Sequence, residues 1–371
     1  MTRLFKDGLL PKAVLVVSKG TRWEYLRTKL SRSIRLHQNS YSQEEIEKEL
    51  EKNLINQSLP YERIKKSHDT HHTSLKKIVR GIKGSWKDCT VRVIRAHNLE
   101  LADLERVDAV FTAGGDGTVL QTALWIHKNN IPVITINTDP VLSSGFLCSF
   151  QLKESTCFTS EILDLLQTGN FDWLMRARIN LTMDDDYKDN HHHHLKIPRL
   201  ALNEMFFAED DPSRPTVHET STGETGSLVQ RSSGVIVSTG TGSTAWMSSA
   251  SMVSKPDIAR ILTAAGLDLS FEELDNVTTR VNSDCVYSPS SKKLQYFVRE
   301  PVMNGWYGRH DEPLSVSPRR GFTDLIRIKS LGWGETKLIV DGLRTFTVPY
   351  GSTVTARIAP EENWLRTVVF D

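Results

Sequence analysis

The stretch that most constrains the fold of this chain is "TAGGDGTVLQ", residues 112–121, where an apolar run passes through a glycine turn into a helical pattern. The run before it, "DAVFTA", has the composition of a strand, and Val119, Leu120 and Ala123 recur at helical spacing. A tight strand-to-helix connection needs one or two glycines, but it does not need a carboxylate between them. Asp116 therefore indicates that this turn does more than bend the chain.

Short β-branched runs alternate with helical patterns through the first half of the chain, which is typical of a parallel sheet covered by helices. The runs are "AVLVVS" (13–18), "TVRVIRA" (90–96), "DAVFTA" (108–113) and "PVITINT" (132–138). A charged insert separates the first two, and in its segment "SQEEIEKELEKNLINQ" Ser42 and Glu45 have the spacing of a capping box. Apolar residues follow at four-residue intervals, so this segment predicts a packing helix with one buried face.

Beyond about residue 170 the pattern changes to many short strands separated by polar turns, which predicts antiparallel sheets. The runs are "RINLTM", "RLALNEMFFA", "SGVIVS", "KLQYFVRE", "DLIRIKS", "TKLIVDG" and "TVTARI". A helical insert interrupts them: "SKPDIARILTAAG" has Pro256 near its start, and "SFEELDNV" repeats the capping-box spacing at Ser270 and Glu273. We therefore expect a Rossmann-like α/β domain over 1–170 and a β-rich domain with a helical insert from 171.

Composition excludes several classes of protein. A chain of 371 residues with 39% hydrophobic residues is large enough for two cores, and a formal net charge of +1 gives no reason to expect nucleic acid or a membrane surface as partner. No apolar stretch approaches the roughly 20 residues that cross a bilayer. The four cysteines are scattered, so we expect neither a disulfide nor a structural zinc site. The acidic and histidine string at 184–194 is interpreted as a solvated loop.

The glycine turn suits a phosphate group. Its amides open a helix, where they attract anions, and glycines without a Cβ let the anion approach closely. The string is neither a Walker A loop nor GxGxxG. A carboxylate beside a phosphate would repel it unless the carboxylate had another task, such as holding Mg²⁺ or accepting a proton from an attacking hydroxyl, so Asp116 is a candidate for one of these.

Two further stretches have polar groups suited to a nucleotide. "GVIVSTGTGSTAW" (234–246) runs from an apolar strand into small and hydroxylated residues and ends at Trp246, whose ring could stack on a base or a nicotinamide. "LALNEMFFA" places Asn203 and Glu204 in succession, and an amide beside a carboxylate can bind the hydroxyls of a ribose. A hairpin connection and a strand end entering solvent are the alternative interpretations of these two stretches.

Taken in order, "GGDGT", "ALNE", "GTGSTAW" and "VDG" (340–342) resemble the motifs of the NAD kinases. The stretches "INTDP" before "GFLC", "VNSDCVYSPSSKKLQYFVREP" and the terminal "RTVVF" resemble the mitochondrial-type branch. The resemblance implies transfer of the γ-phosphoryl of ATP, with Mg²⁺, to the adenosine ribose 2′-hydroxyl of NAD. It also implies that NAD lies between the domains, that 171–345 forms the second domain, and that 346–371 returns to the first. A homodimer in mitochondria is implied, with the cytoplasm as the alternative.

The resemblance also implies the site residues. Asp116 would orient or deprotonate the 2′-hydroxyl. Phosphate would be held by Gly114, Gly115, Gly117 and Thr118. The residues that would contact NAD are Asp116, Gly117, Phe146, Asn203, Glu204, Thr241, Ser243, Thr244, Ala245, Trp246 and Asp341. No protein ligand to a metal is expected among them.

Four positions depart from the pattern of the family. Trp246 replaces a common tyrosine and Gly240 a common proline, and the other two departures concern polar contacts. Ser233 stands where an aspartate is frequent, and Leu343 stands where a glutamine often follows the late "DG". These two departures motivate a second hypothesis, a non-catalytic NADP(H) sensor that retains the pocket. A diacylglycerol or sphingosine-type lipid kinase, which shares "GGDGT", is a third hypothesis, but "NE" and a hydroxyl-rich turn favour a polar ligand over an acyl chain.

Overall fold

Each predicted strand of the first half is present in the computed structural model. The model describes residues 8–36, 42–56, 60–153, 155–184, 200–211, 213–223, 226–302 and 319–370. The strands of the first half are β1 (Ala13–Ser18), β2 (Thr90–Arg95), β3 (Ala109–Gly114), β4 (Val133–Asn137), β5 (Phe150–Gln151) and β6 (Asp172–Arg176). The helices are α1 (Arg22–Leu36), α2 (Gln43–Asn56), α3 (Tyr61–Ser85), α4 (Asp116–Ala123) and α5 (Asp164–Thr168).

The second half is rich in strands, as predicted. They are β7 (Ile179–Asp184), β8 (Leu200–Ala201), β9 (Glu204–Glu209), β10 (Thr216–Thr222), β11 (Leu228–Ser232), β12 (Gly234–Ser238), β13 (Leu294–Arg299), β14 (Arg320–Thr323), β15 (Leu325–Ser330), β16 (Thr336–Val340), β17 (Arg344–Val348), β18 (Thr353–Ile358) and β19 (Leu365–Val369). The helices are α6 (Trp246–Ser251), α7 (Lys255–Ala264) and α8 (Phe271–Ser283).

Contacts divide the chain into two units. The first contains residues 1–126, 130–173 and 366–371, and the second contains 127–129 and 174–365. Within the predicted segment 346–371, residues 366–371 are grouped with the first unit and residues 346–365 with the second. The second group includes β18, which pairs with β7 and β15.

The first unit is built on a sheet with the strand order β2-β1-β3-β4-β19-β6, and β5 pairs with β4 beside this path. The pairs β1–β2, β1–β3, β3–β4 and β4–β19 are parallel, which confirms the predicted parallel arrangement. All residues of β3 and β4 are buried, as expected for strands covered on both faces. The carboxyl ends of β1, β3 and β4 therefore meet at one edge, where the glycine turn lies.

The charged insert folds into α2 and α3, and α3 packs on the sheet. Ile78, Ile82 and Trp86 join the main core around Phe111. The predicted capping box is present at α2, where Glu45 accepts the N–H of Ser42 at 2.7 Å and Ser42 accepts that of Glu45 at 3.3 Å. Leu50 of α2 packs against Trp23 and Ile64 in a small separate core, so the prediction of a buried face is confirmed there.

The second unit contains two antiparallel sheets, as predicted. Their strand orders are β11-β10-β15-β18-β7-β8 and β14-β13-β12-β9-β16-β17. The predicted run "RLALNEMFFA" is not one strand: it divides into β8 and β9, because the amides of Leu202 and Asn203 bond to a side chain instead of a neighbouring strand. The capping box at Ser270 and Glu273 is confirmed.

Two further findings concern the whole described chain. No helix within the described residues is long and apolar enough to span a bilayer. All four cysteines lie in the described part and are free thiols. The string at 184–194 lies outside the described residues from position 185 onward, so its interpretation stays a prediction.

Candidate active site

The glycine turn lies where β3 ends at Gly114 and α4 begins at Asp116. Gly115 is the N-cap of α4 with an extended backbone, φ −108° and ψ −164°, and its carbonyl accepts the N–H of Thr118 at 2.9 Å. The first N–H groups of a helix have no carbonyl of their own helix to bond. The start of α4 therefore offers unpaired amides and the positive end of the helix dipole, which together suit an anion.

The three glycines of the turn have different surroundings. A Cβ on Gly114 would lie 2.1 Å from Oγ1 of the buried Thr118, so this glycine is needed for packing. A Cβ on Gly115 would meet only the Ser143 side chain within 3.9 Å, its Oγ at 3.0 Å, and one on Gly117 would meet no described atom within 4 Å. Gly115 and Gly117 therefore leave open space beside the helix start, as the phosphate hypothesis expects.

Asp116 is bonded to a neighbouring loop. Its Oδ2 accepts the backbone N–H of Phe146 at 3.1 Å, and its Oδ1 accepts that of Leu147 at 2.8 Å. The ring of Phe146 is 71% exposed, so its apolar face is available to a ligand. The carboxylate between the glycines therefore fixes the backbone that presents Phe146.

Asn137, at the end of β4, holds the same loop in place. Its Nδ2 donates to the carbonyl of Ser143 at 2.8 Å and to Oε1 of Gln151 at 2.7 Å, and its Oδ1 accepts the N–H of Asp139 at 3.0 Å. Gly145 has φ +61°, and a Cβ there would lie 2.6 Å from Nδ2 of Asn137. The loop can therefore follow this path only with glycine at position 145.

A buried histidine that the sequence motifs did not single out lies at this sheet edge. His71 of α3 contacts Oγ of Ser18 through Nε2 at 3.0 Å and Oγ1 of Thr138 through Nδ1 at 2.9 Å. Burial, with the charge of Lys19 adding, lowers the pKa of His71 to about 3, so the ring is neutral at neutral pH. It links the chain at the ends of β1 and β4. Three histidines at positions 68, 71 and 72 of a helical pattern were the available signal.

A second cluster contains possible metal ligands. Donor atoms of Glu24, His68 and His72 lie within 4.8 Å of one another, and Oε1 of Glu24 is 3.2 Å from Nε2 of His72. The guanidinium of Arg95 is paired with the same carboxylate oxygen. Because Arg95 neutralises this carboxylate, a metal ion would have to compete with an existing cation.

In the second unit, Asp341 organises the backbone of the "LNE" stretch. Its carboxylate accepts the N–H groups of Leu202 at 2.9 Å, Asn203 at 2.7 Å and Glu204 at 3.1 Å. The residue is buried and has φ +49°. Burial raises the pKa of Asp341, whereas these amides and the charge of the buried Arg178 act in the opposite direction. Asp341 thus fixes the direction of the two polar residues that the sequence singled out.

Three predicted site residues of this unit each have a buried polar atom that lacks a hydrogen-bond partner in the described part of the chain. These atoms are Oδ1 of Asn203, Oε2 of Glu204 and Oγ1 of Thr241. Asn203 and Glu204 are only 6% and 8% exposed, so they do not form a strand end entering solvent. Burial, and then the neighbouring Asp341, raises the pKa of Glu204 to about 8. Unpaired buried polar atoms are costly, and a polar ligand that bonds to them would remove that cost.

The second glycine turn is a tightly packed framework. A Cβ on Gly240 would lie 1.9 Å from the carbonyl oxygen of Ser288, and one on Gly242 would lie 2.3 Å from that of Asn203. Ser243 is fully buried, and its hydroxyl donates to Gly240 at 2.7 Å and accepts the N–H of Tyr287 at 3.2 Å. Ser243 therefore holds the turn through its own side chain.

The remaining predicted residues of this turn are more accessible. Thr244 is exposed and its hydroxyl donates to the carbonyl of Thr241 at 3.3 Å, and Ala245 is half-buried. Trp246 is 39% exposed, and its ring packs edge-on against Phe206 with 4.7 Å between centroids. The guanidinium of Arg299 lies 5.8 Å from the ring centroid of Trp246. One side of this aromatic pair is therefore open to solvent.

Comparisons with known proteins agree with these features. The family model described as the ATP-NAD kinase N-terminal domain matches residues 33–170. The chain is 28% identical over 401 residues to mitochondrial NAD kinase 2 of Rattus norvegicus, which covers 98% of this chain and 89% of that protein. The human protein of the same name is also 28% identical, over 98% of this chain and 85% of its own length.

Two solved structures have the same fold. One is a yeast NADH kinase complexed with NADH, with a TM-score of 0.54 and 16% identity, covering 98% of this chain and 84% of that chain. The other is an NAD kinase from Archaeoglobus fulgidus in complex with ATP, with a TM-score of 0.50 and 17% identity, covering 80% of this chain and 89% of that chain. At this identity the likeness concerns the fold alone.

Proposed function

This chain belongs to the NAD kinase family, in its mitochondrial-type branch, and on that premise we propose that it phosphorylates NAD to NADP with Mg-ATP as donor. A bond forms between the ribose 2′-oxygen and the γ-phosphorus, and the bond between that phosphorus and the β,γ-bridging oxygen breaks. ADP leaves, and the proton of the 2′-hydroxyl goes to a base. Such a transfer depends on positioning and charge neutralisation more than on covalent chemistry.

We assign that base to Asp116. Its carboxylate accepts two amides, yet each carboxylate oxygen has a second acceptor position, so a hydroxyl can still donate to it. The amides at the start of α4, with the space left by Gly115 and Gly117, would hold the phosphates. Gly114 and the buried Thr118 would support the turn from behind. Asp116 is the one carboxylate of the turn, so Mg²⁺ would be held mainly by the phosphates of ATP, where it would neutralise their charge.

The observation that carries the proposal is the set of buried, unpaired atoms on Asn203, Glu204 and Thr241. Ribose hydroxyls can donate to all three and would satisfy them, whereas an acyl chain would leave them unpaired. The residues that would line the dinucleotide are Thr244, Ala245 and Trp246, and Phe146 would offer it an apolar surface. Ser243 would hold the second glycine turn in place, and Asp341 would hold the backbone of Asn203 and Glu204.

The test supplies purified protein with NAD and Mg-ATP and measures NADP with an NADP-specific dehydrogenase. One parallel reaction replaces ATP with inorganic polyphosphate as the donor. A second replaces NAD with diacylglycerol as the acceptor and uses radiolabelled ATP. NADP formation from ATP, without labelled lipid, is expected. Labelled lipid without NADP would identify a lipid kinase and contradict the proposal.

A non-catalytic NADP(H)-binding protein is a second candidate, favoured by one observation. Asp116 already bonds two amides of its own chain, a structural task that needs no catalysis. The absence of NADP formation with any donor, together with tight NADP binding in calorimetry, would favour this candidate over the kinase.

The assembly and location of the chain are also proposals. We propose a homodimer, because the family implies one and because a protein with many short strands must cover their edges. We propose a mitochondrial location because the full-length relatives are named mitochondrial. Light scattering that gives the monomer mass at assay concentration, and a tagged protein that stays in the cytosol, would contradict these two proposals.

A further inference from the structure

Lys19 lies directly against the glycine turn, although the sequence patterns do not single it out. It follows the last residue of β1, and its backbone N–H donates to the carbonyl of Ala113 at 2.9 Å. A Cβ placed on Gly114 would be 3.0 Å from Cβ of Lys19. The side chain of Lys19 therefore starts beside the turn that opens α4.

The ionisable side chains that interact with Lys19 come from elements at the same sheet edge. Its ammonium interacts electrostatically with the carboxylate of Asp139, which follows β4, and with the ring of His71 on α3. The carboxylate of Asp139 also accepts the hydroxyl of Ser67. Among the described residues, no carboxylate oxygen lies within 4.0 Å of the ammonium of Lys19, so no ion pair forms. The residue is half-buried. Its charge is thus partly removed from water without a paired anion.

Two other basic side chains near Lys19, those of Arg95 and His71, do not offer a free positive charge. The guanidinium of Arg95 is paired with Glu24 and donates to the carbonyl of Lys19 at 2.7 Å. His71 is neutral at neutral pH, because burial lowers its pKa to about 3. A half-desolvated lysine whose side chain starts beside unpaired helix amides suits a polyphosphate, since lysine binds phosphate as a point charge.

We propose that Lys19 binds the phosphate chain of the donor nucleotide. Together with the amides of α4, it completes a phosphate site at the carboxyl edge of the sheet. The proposal rests on the proposed kinase function for the identity of the donor. It assigns Lys19 to donor binding and not to binding of NAD. The residue should therefore affect the two substrates unequally.

The variant Lys19→Met removes the charge and keeps most of the length, and Lys19→Arg keeps the charge. Lys12→Met is the matched control, because Lys12 is exposed at the opposite end of β1. Isothermal titration with Mg-ATP, and with inorganic tripolyphosphate, measures donor binding without turnover. Steady-state kinetics then give KM separately for ATP and for NAD, and thermal denaturation checks that each variant is folded.

A hydrogen bond to a charged group contributes enough binding free energy to change a dissociation constant by about tenfold to a hundredfold. Lys19→Met is therefore expected to raise the Kd for Mg-ATP and for tripolyphosphate, and the KM for ATP, by at least about tenfold. The KM for NAD should stay within about twofold, Lys19→Arg should recover most of the binding, and Lys12→Met should match the wild type.

Unchanged Mg-ATP binding by folded Lys19→Met would overturn the proposal. So would an equal change in the KM of both substrates, which would indicate a structural role. If the wild type binds Mg-ATP but forms no NADP, the kinase function is contradicted, and the titration still decides for or against Lys19. A wild type that binds neither Mg-ATP nor tripolyphosphate would overturn both.

Discussion

The carboxylate of Asp116 accepts the backbone N–H of Leu147 at 2.8 Å and so joins the glycine turn to the loop that follows β4. The other carboxylate oxygen accepts the N–H of Phe146 at 3.1 Å. An aspartate between glycines thus has a structural reason as well as a chemical one. Both oxygens must be acceptors, which an asparagine side chain cannot provide without turning its NH₂ group toward an amide donor.

The glycines of the turn should separate stability from donor binding. Gly114→Ala places a Cβ 2.1 Å from Oγ1 of Thr118, so we expect a loss of about 1–3 kcal/mol in the free energy of unfolding. Gly115→Ala meets only Oγ of Ser143, at 3.0 Å, and this side chain can move. The second variant should therefore fold normally and raise the KM for ATP by obstructing the phosphate.

Urea denaturation and steady-state kinetics on both variants check this prediction. A Gly115→Ala protein with a normal KM for ATP would contradict the location of the phosphate. A Gly114→Ala protein as stable as the wild type would show that Thr118 moves aside at little cost.

Asp341→Asn should destabilise the second unit. The aspartate accepts three backbone N–H groups and offsets the charge of the buried Arg178. Asparagine tolerates the positive φ of this position but brings a donor toward the amides and removes the negative charge that acts on Arg178. Leaving a buried hydrogen-bonding group unsatisfied typically costs about 1–3 kcal/mol. Calorimetry should show a lower unfolding temperature, and NAD affinity should fall with it; an unchanged unfolding temperature would contradict this role.

The buried carboxyl of Glu204 should make stability depend on pH. Burial and Asp341 raise the pKa of Glu204 to about 8 in the native chain, whereas an unfolded glutamate has its usual pKa of about 4.3. Between these values the native chain holds a proton that the unfolded chain has released. The contribution of Glu204 to the free energy of unfolding therefore decreases as the pH rises through this window.

Glu204→Gln removes this titration and keeps the side-chain shape. Urea midpoints measured at pH 5, 6, 7 and 8 should decline more steeply for the wild type than for the variant. Parallel pH profiles would show that Glu204 is ionised in the native chain, and our account of its unpaired oxygen would then be wrong.

Local pattern was sufficient to predict much of the fold. The strands "AVLVVS" and "DAVFTA" and the capping boxes at Ser42 and Ser270 were correct, because each depends on residues close in sequence. The break between β8 and β9 was not predictable, since it depends on Asp341, 137 to 139 residues away along the chain. Contacts over such distances leave no local signal.

In the candidate site, too, the features that depend on local sequence were predicted and those that depend on distant contacts were not. Glycines and a carboxylate in one turn indicated a phosphate site from residue chemistry alone. The neighbours of that turn come from other elements: Lys19 has no pattern of its own, and the signal for His71 is only the group of three histidines at positions 68, 71 and 72. Ser243 was assigned to the ligand, although its hydroxyl bonds within the chain. Residue types therefore lead to a hypothesis about the kind of site, whereas packing determines which side chains remain available to a ligand.

The turnover number of Asp116→Asn tests the central claim most directly. General-base assistance contributes about 10²–10⁴-fold, so kcat for NADP formation should fall within or beyond this range. The Kd for NAD should change much less, because the loop that asparagine disturbs supplies only the Phe146 surface, and the other proposed NAD contacts are on Asn203, Glu204 and the second glycine turn. Asp108→Asn is the control for removal of a carboxylate charge from this sheet, because Asp108 accepts two backbone amides through the single oxygen Oδ2, at 2.8 and 2.9 Å, at the opposite edge. It should retain the kcat of the wild type. Near-normal kcat in folded Asp116→Asn would show that the carboxylate only supports the loop, and would contradict its assignment as the base.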